Sequence, residues 1–272
     1  MLTVLAAILA AAFSAQAVPT KDSIVISELE VVAAPTEGEL QVLQQLAASG
    51  DSSSQVRLGD LYLFGQGVLQ DSAEALKWYR SAATQGDAAA QFNIGNMFDK
   101  GRGVKQDDAQ AFRWYKVAAE QGHTRAQYSA GVLLSEGRGV AQSDSEAVKW
   151  FRRSAEQNYV RAQFNLANHL SKGRGAPKDE AEAVVWYRRS AKQGYPEAQT
   201  NLGLMYGNGA GVPRDDAAAY KWLSIASSSR GEMGDYASKA LPVLERRMTA
   251  TQLSRANSDA EMCRSSALKV CE

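Results

Sequence analysis

The residues able to do chemistry are few and scattered. His123 and His169 are the only histidines, and Cys263 and Cys271 the only cysteines. A structural or catalytic metal site gathers three or four such donors. Neither histidine has a cysteine or a second histidine at ligand spacing, so both read as structural or surface residues, and no metal or cofactor is expected. Gly-Arg-Gly-Val recurs at 101–104 and 137–140, but no Gly-Lys-Ser/Thr follows to cradle a phosphate. No Gly-x-Ser-x-Gly elbow offers a nucleophile. Ser266-Ala267-Leu268-Lys269 has the Ser-x-x-Lys form of penicillin-recognising enzymes, yet the companion Ser-Asp-Asn and Lys-Thr-Gly elements are missing. No catalytic residue is assigned.

The two cysteines stand eight residues apart. On one straight helix that is about 12 Å, beyond the reach of a bridge. A Cys263–Cys271 disulfide therefore requires the final helix to break and the tail to fold back. Export would favour that pairing. Intermolecular pairing and free thiols are the alternatives.

Charge excludes one class of partner. Lys+Arg and Asp+Glu are 30 each, giving no electrostatic case for nucleic acid or an anionic membrane. The apolar run Leu2 to Phe13 is too short to span a bilayer. Ala15-Gln16-Ala17 follows it, so 1–17 reads as a secretory signal cut after Ala17. No later stretch could span a membrane. The expected location is periplasmic or secreted. Residues 18–36 read as an extended linker, with an alternating stretch from Ile24 to Val32 that could instead pair with a partner as a strand.

What must position any site is a repeat. Trp78, Trp114, Trp150, Trp186 and Trp222 are spaced by 36 residues throughout, and a fixed period of that size is the mark of a repeat array. In that register five units cover 52–87, 88–123, 124–159, 160–195 and 196–231. Position 4 is always glutamine: Gln55, Gln91, Gln127, Gln163 and Gln199. Position 8 is small: Gly59, Gly95, Gly131, Ala167 and Gly203.

Each unit reads as a helical hairpin. Repeating residues at positions 4, 7, 8 and 11 form one face of a first helix. A glycine at position 14 ends it. The second helix opens on capping boxes, pairing Asp71 with Glu74, Asp107 with Gln110, Ser143 with Glu146 and Asp179 with Glu182. The tryptophan and its neighbour supply the core bulk. One hairpin cannot bury its apolar face alone, so the expected fold is all-α: an α-α superhelical solenoid of stacked helix hairpins. Residues 37–51 read as an N-terminal capping helix. Residues 232–272 read as C-terminal capping helices and tail. Within them Pro242 is expected to kink a helix or mark its first turn, and Thr249-x-x-Gln252 opens a last helix to about Ala260.

The unit Ala90-Gln91-Phe92-Asn93-Ile94-Gly95…Gly101-Arg102-Gly103-Val104…Trp114-Tyr115…Ala118-Ala119-Glu120-Gln121-Gly122 resembles the Sel-1-like repeat, a relative of tetratricopeptide repeats. The resemblance covers 52–231. It implies a non-enzymatic scaffold that binds another protein or an extended peptide, in the cell envelope or outside the cell. The competing class is a cell-wall-acting or β-lactamase-like enzyme or a peptidoglycan binder, but the cysteine pair per repeat of such relatives is missing. By resemblance to tetratricopeptide arrays, first-helix positions 2, 6, 9 and 13 would line a concave surface. Arg57, Asn93, Asn96, Arg125, Arg161, Asn165, Asn168 and Asn201 lie there, and could hold an extended peptide by its backbone or its carboxylate. The sequence leaves the oligomeric state open.

Overall fold

The computed structural model describes residues 34–268 and Cys271. The signal reading of 1–17 and all but the last three residues of the linker lie outside the described residues. Among those described there are thirteen helices and no strand. The chain divides into two compact units between Gln157 and Asn158.

The N-terminal unit holds α1 (Glu37–Ala48), α2 (Ser52–Phe64), α3 (Ser72–Thr84), α4 (Ala88–Lys100), α5 (Asp108–Glu120), α6 (Thr124–Glu136) and α7 (Asp144–Glu156). Every start has a chemical cause. Asp51 and Asp87 accept from the third backbone N–H of α2 and α4, and Asp71, Asp107 and Ser143 do the same for α3, α5 and α7. The reciprocal half of the expected boxes is used otherwise. Glu74 and Glu146 turn to Lys77 and Lys149, each at 2.6 Å. Full capping boxes form at Thr249–Gln252, as the sequence predicts, and at Thr36–Glu39, which opens α1.

Packing explains the small residue at position 8. A Cβ built on Gly131 would fall 2.7 Å from the Phe151 ring, so hydrogen there lets the two helices of a hairpin meet. The residue after each tryptophan forms the deepest layer: Tyr79, Tyr115 and Phe151 are fully or almost fully buried. The tryptophans are uneven. Trp150 is 9% exposed, whereas Trp78 and Trp114 are half-buried and pack against the core from its edge. The residue three positions on also differs. Arg153 covers the Trp150 ring at 4.7 Å, where Trp78 and Trp114 have Ser81 and Val117. At the end of the unit, α1 lays Leu43 and Ala47 against Leu58 and Leu61 of α2, acting as the half-repeat cap.

The C-terminal unit holds α8 (Val160–Lys172), α9 (Glu180–Lys192), α10 (Pro196–Asn208), α11 (Asp216–Ala226), α12 (Glu232–Glu245) and α13 (Ala250–Ser265). Asn158, where the first, second and fourth units have glycine, keeps the left-handed backbone at φ 67°, a conformation asparagine tolerates. Here Trp186 and Trp222 are buried, and Arg189 lies 4.5 Å over Trp186. Both α12 and α13 pack on α11, joining Tyr220 and Leu223 to Ala237, Ala240, Leu244 and Ala256. Pro242 sits inside the last turn of α12. The final helix runs past the expected Ala260 to Ser265. Arg264 anchors its last turn by donating to the carbonyl and hydroxyl oxygens of Ser224, at 3.2 and 3.1 Å. Beyond Ser265 the chain reverses and Cys271 pairs with Cys263, with Cα atoms 5.1 Å apart.

Candidate functional site

The first helices present their position-6 and position-9 side chains beside the second-helix hydroxyls. Tyr79 donates from its hydroxyl to Asp60 at 2.5 Å, and the Asn93 amide donates to the same oxygen at 3.3 Å. Tyr115 donates to Asn96 at 2.6 Å. In the C-terminal unit Tyr187 donates to Asn168 at 2.5 Å, and Asn201 donates to that oxygen at 3.3 Å. These bonds therefore form an internal ladder that ties the first hairpin to the second and the fourth to the fifth. The pairing is matched within the sequence. Where position 9 becomes Val132 or Leu204, the second-helix partner becomes Phe151 or Leu223. A buried hydroxyl and its acceptor come and go together, because either one left alone costs free energy.

A second ladder uses the invariant glutamines. Gln85, Gln121 and Gln157 donate to Gln55, Gln91 and Gln127 at 2.7–2.9 Å, and Gln193 donates to Gln163 at 2.8 Å. Gln55 and Gln127 pass on a bond to the Ala47 and Ala119 carbonyls, and Gln199 does so to Ala191. The turn arginine Arg138 is held at 2.6 Å by Asp99 and 2.8 Å by Asp108, which lowers the Asp108 pKa. It braces one repeat on another.

Asn93 and Arg125 share one cleft of about 430 Å³, lined also by Ala89, Phe92, Gly122, His123 and Thr124. His123 occupies the capping position that Asp51 and Asp87 fill elsewhere. Its Nδ1 accepts from the Ala126 N–H at 3.2 Å, and its ring stacks on Phe92 with centroids 4.7 Å apart. An accepting Nδ1 fixes the neutral tautomer with the proton on Nε2. Burial lowers the His123 pKa, Arg125 lowers it further, and Asp87 opposes them. Thr124 donates its hydroxyl to Gln157 at 2.7 Å. The cleft thus offers an aromatic wall, a carboxamide and a guanidinium.

The other sequence-selected residues are placed separately. Arg57 is exposed and lines a cleft of about 540 Å³ with Val42, Leu43 and Leu46 of α1. Arg161 and Asn165 are half-buried in α8, in the C-terminal unit. His169 is buried, with Nδ1 2.9 Å from the Asn165 carbonyl oxygen. Among the described residues no cluster of three His, Cys, Asp or Glu could hold a metal, and no helix is long and apolar enough to cross a membrane. The sequence reading overlooked Phe92, Gly122 and His123 as cleft residues. The signal was present: position 5 is aromatic in three successive units, and His123 replaces a capping aspartate.

The Sel1 repeat family model matches residues 52–87, 88–123, 124–159, 160–195 and 196–229, the first four with the bounds read from the tryptophans. A Sel1 repeat protein from Oxalobacter formigenes of solved structure is 34% identical, over 73% of this chain and 82% of that one, with a TM-score of 0.68. A protective antigen present in uropathogenic Escherichia coli strains, with an SLR fold, is 32% identical over 80% of this chain and 54% of that one, with a TM-score of 0.53. No curated protein is significantly similar.

Proposed function

From its membership of the Sel1 repeat family, whose repeats generally mediate protein–protein interaction, we propose that this protein is an exported, non-enzymatic scaffold of the bacterial cell envelope or secretome. It holds another protein by an extended segment. The observation that carries this reading is the cleft in which Phe92, Asn93, His123 and Arg125 meet. Arg125 pairs with a partner carboxylate in a charge-assisted bond, and Asn93, whose amide nitrogen donates to Asp60, offers its carbonyl oxygen to the partner backbone. Lining residues that recognise by direction, not by net charge, suit a chain whose formal charge is zero. Export is supported by the leader at 1–17 and by the Cys263–Cys271 pair, which suits an oxidising compartment. The likeness to a protective antigen supports a place outside the cytoplasm.

The test is a photo-crosslinking amino acid at Asn93 in the native host, with capture of the adduct from periplasm and medium. With the crosslinker at position 93, adding Arg125→Ala should lower capture of the partner at least about tenfold while unfolding stays at a similar temperature. Unchanged capture by a stably folded variant would overturn the reading. The mature N-terminus should begin at Val18, and a full-length cytoplasmic protein would remove the export part.

A further inference from the structure

Two corners of the repeats are built alike, and the chain fills one of them itself. The corner lies where a second helix hands over to the next first helix. In the second repeat it consists of Gly122 beside the stacked pair Phe92 and His123, and it opens onto the cleft of about 430 Å³. In the fourth repeat Gly194 holds the same position, beside Phe164 and Tyr195 with ring centroids 5.1 Å apart. A Cβ built on Gly50, Gly86 or Gly122 would meet nothing within 4 Å. One built on Gly194 would lie 3.5 Å from Cδ1 of Leu268.

Leu268 is held there deliberately. The Cys263–Cys271 bridge closes the tail back on α13. Ala267 and Leu268 stand at φ 50° and 68°, which side-chain-bearing residues rarely adopt and which persists only when the surroundings impose it. The Leu268 N–H donates to the Cys263 carbonyl at 2.9 Å. A covalent link and two disfavoured conformations keep one aliphatic side chain over one corner glycine.

We propose that these corners are receptacles for an aliphatic side chain of an extended segment: Leu268 fills the fourth-repeat corner in cis, and the open second-repeat corner takes the equivalent side chain of a partner protein. This deepens the scaffold reading and rests on it. The charge next to the receptacle sets the neighbouring residue. Arg125 lines the open cleft, and the corresponding position beside the filled corner is Glu197, so the two corners differ in the charge they offer a flanking residue. Arg125 therefore selects a leucine-like residue flanked by an acid.

The test uses the mature full-length chain, isotope-labelled, and the probe peptide acetyl-Ser-Ala-Leu-Glu-amide, followed by amide NMR shifts. The expected result is shifts at Gly122, His123 and Arg125 with Gly194 unmoved. Exchanging Leu for Gly in the probe should weaken binding roughly tenfold or more, from the apolar surface no longer buried. Exchanging Glu for Lys should weaken it as well. Ala89→Leu, which narrows the cleft with a residue that favours helix, should abolish the shifts while thermal unfolding stays cooperative. In Leu268→Ala, acetyl-Ser-Ala-Leu-Lys-amide should shift Gly194 and Tyr195. Equal binding of the Leu and Gly probes, no detectable binding, or shifts elsewhere would overturn the corner proposal. If the native partner still crosslinks at Asn93 in that event, the scaffold reading stands alone. If it does not, both fail.

Discussion

Repeat 3 uses Val132 and Phe151 where repeat 1 uses Asp60 and Tyr79, so the chain contains its own control for the polar ladder. Tyr79→Phe removes the 2.5 Å donor from the Asp60 carboxylate and leaves it the longer bond from Asn93. A hydrogen bond to a charged group is worth about 1.5–3 kcal/mol, so that loss is expected. Asp60→Val strands a hydroxyl on a fully buried tyrosine, at a cost of about 1–3 kcal/mol. The double variant reproduces an apolar pair of similar size and should lie within about 1 kcal/mol of the wild type. The coupling energy, the summed single losses of about 2.5–6 kcal/mol less the small double loss, should then be at least about 1.5 kcal/mol. Urea unfolding, followed by tryptophan fluorescence and circular dichroism with coincident transitions, measures it. Acidity gives a second readout. Burial raises the Asp60 pKa, and the Tyr79 bond works against that. The folded state then binds the Asp60 proton more tightly than the unfolded state. Ionised Asp60 costs stability above its raised pKa, and the cost fades as pH falls through that value towards the ordinary carboxylate range, about 4. Losing the Tyr79 bond raises the pKa further, so the Tyr79→Phe deficit should shrink on acidification and the Asp60→Val deficit should not. Single effects that add within about 0.5 kcal/mol would refute the coupled pair.

The His123 cap needs a neutral ring, and its pKa is depressed mainly by burial. Its stabilisation is complete above the unfolded value of about 6.5 and is lost as pH falls below it; His123→Asp, which copies Asp51 and Asp87, should flatten the slope of melting temperature against pH, and an unaltered slope would count against the cap. A Cβ on Gly139 would sit at the Asp108 carbonyl carbon, on a backbone at φ 66°, so Gly139→Ala should lose at least about 1–3 kcal/mol in chemical unfolding. Trp150→Ala should cost about 3–5 kcal/mol, and half-buried Trp114→Ala at least about 1 kcal/mol less; equal losses would refute the role given to Arg153.

The hairpins and their bounds were legible because a strict period exposes them: one tryptophan per 36 residues sets the register, and glycine and capping residues mark each helix end. Depth was less legible. Position 27 and position 28 are both large and apolar, and only the rotation of the helix decides which faces inward. That rotation puts Tyr79 and Tyr115 at the bottom and leaves Trp78 and Trp114 at the rim. The capping boxes were half legible, since the backbone bond follows from the N-cap residue alone, whereas Glu74 and Glu146 had lysines three residues on to choose instead. The cleft was least legible. Its residues come from two repeats, and they converge only when α4 and α6 stand side by side.

The asparagine stripe carries a lesson about where recognition can reside in such an array. Each polar atom that a repeat spends on its neighbour is one that a ligand must break to use. The Asn168 carboxamide oxygen already accepts from Tyr187 and Asn201, so a ligand bonding there would displace a partner and gain little. The corner is different. Gly122 faces open space, and the neutral His123 ring keeps an Nε2 proton outside its capping bond. Recognition beside an open glycine is therefore available at the junction after the second repeat, where position 36 is His123 in place of Asp87 and position 2 is Arg125 in place of Ala89. The ladder positions hold the array together, and this corner can give the second repeat a preference of its own.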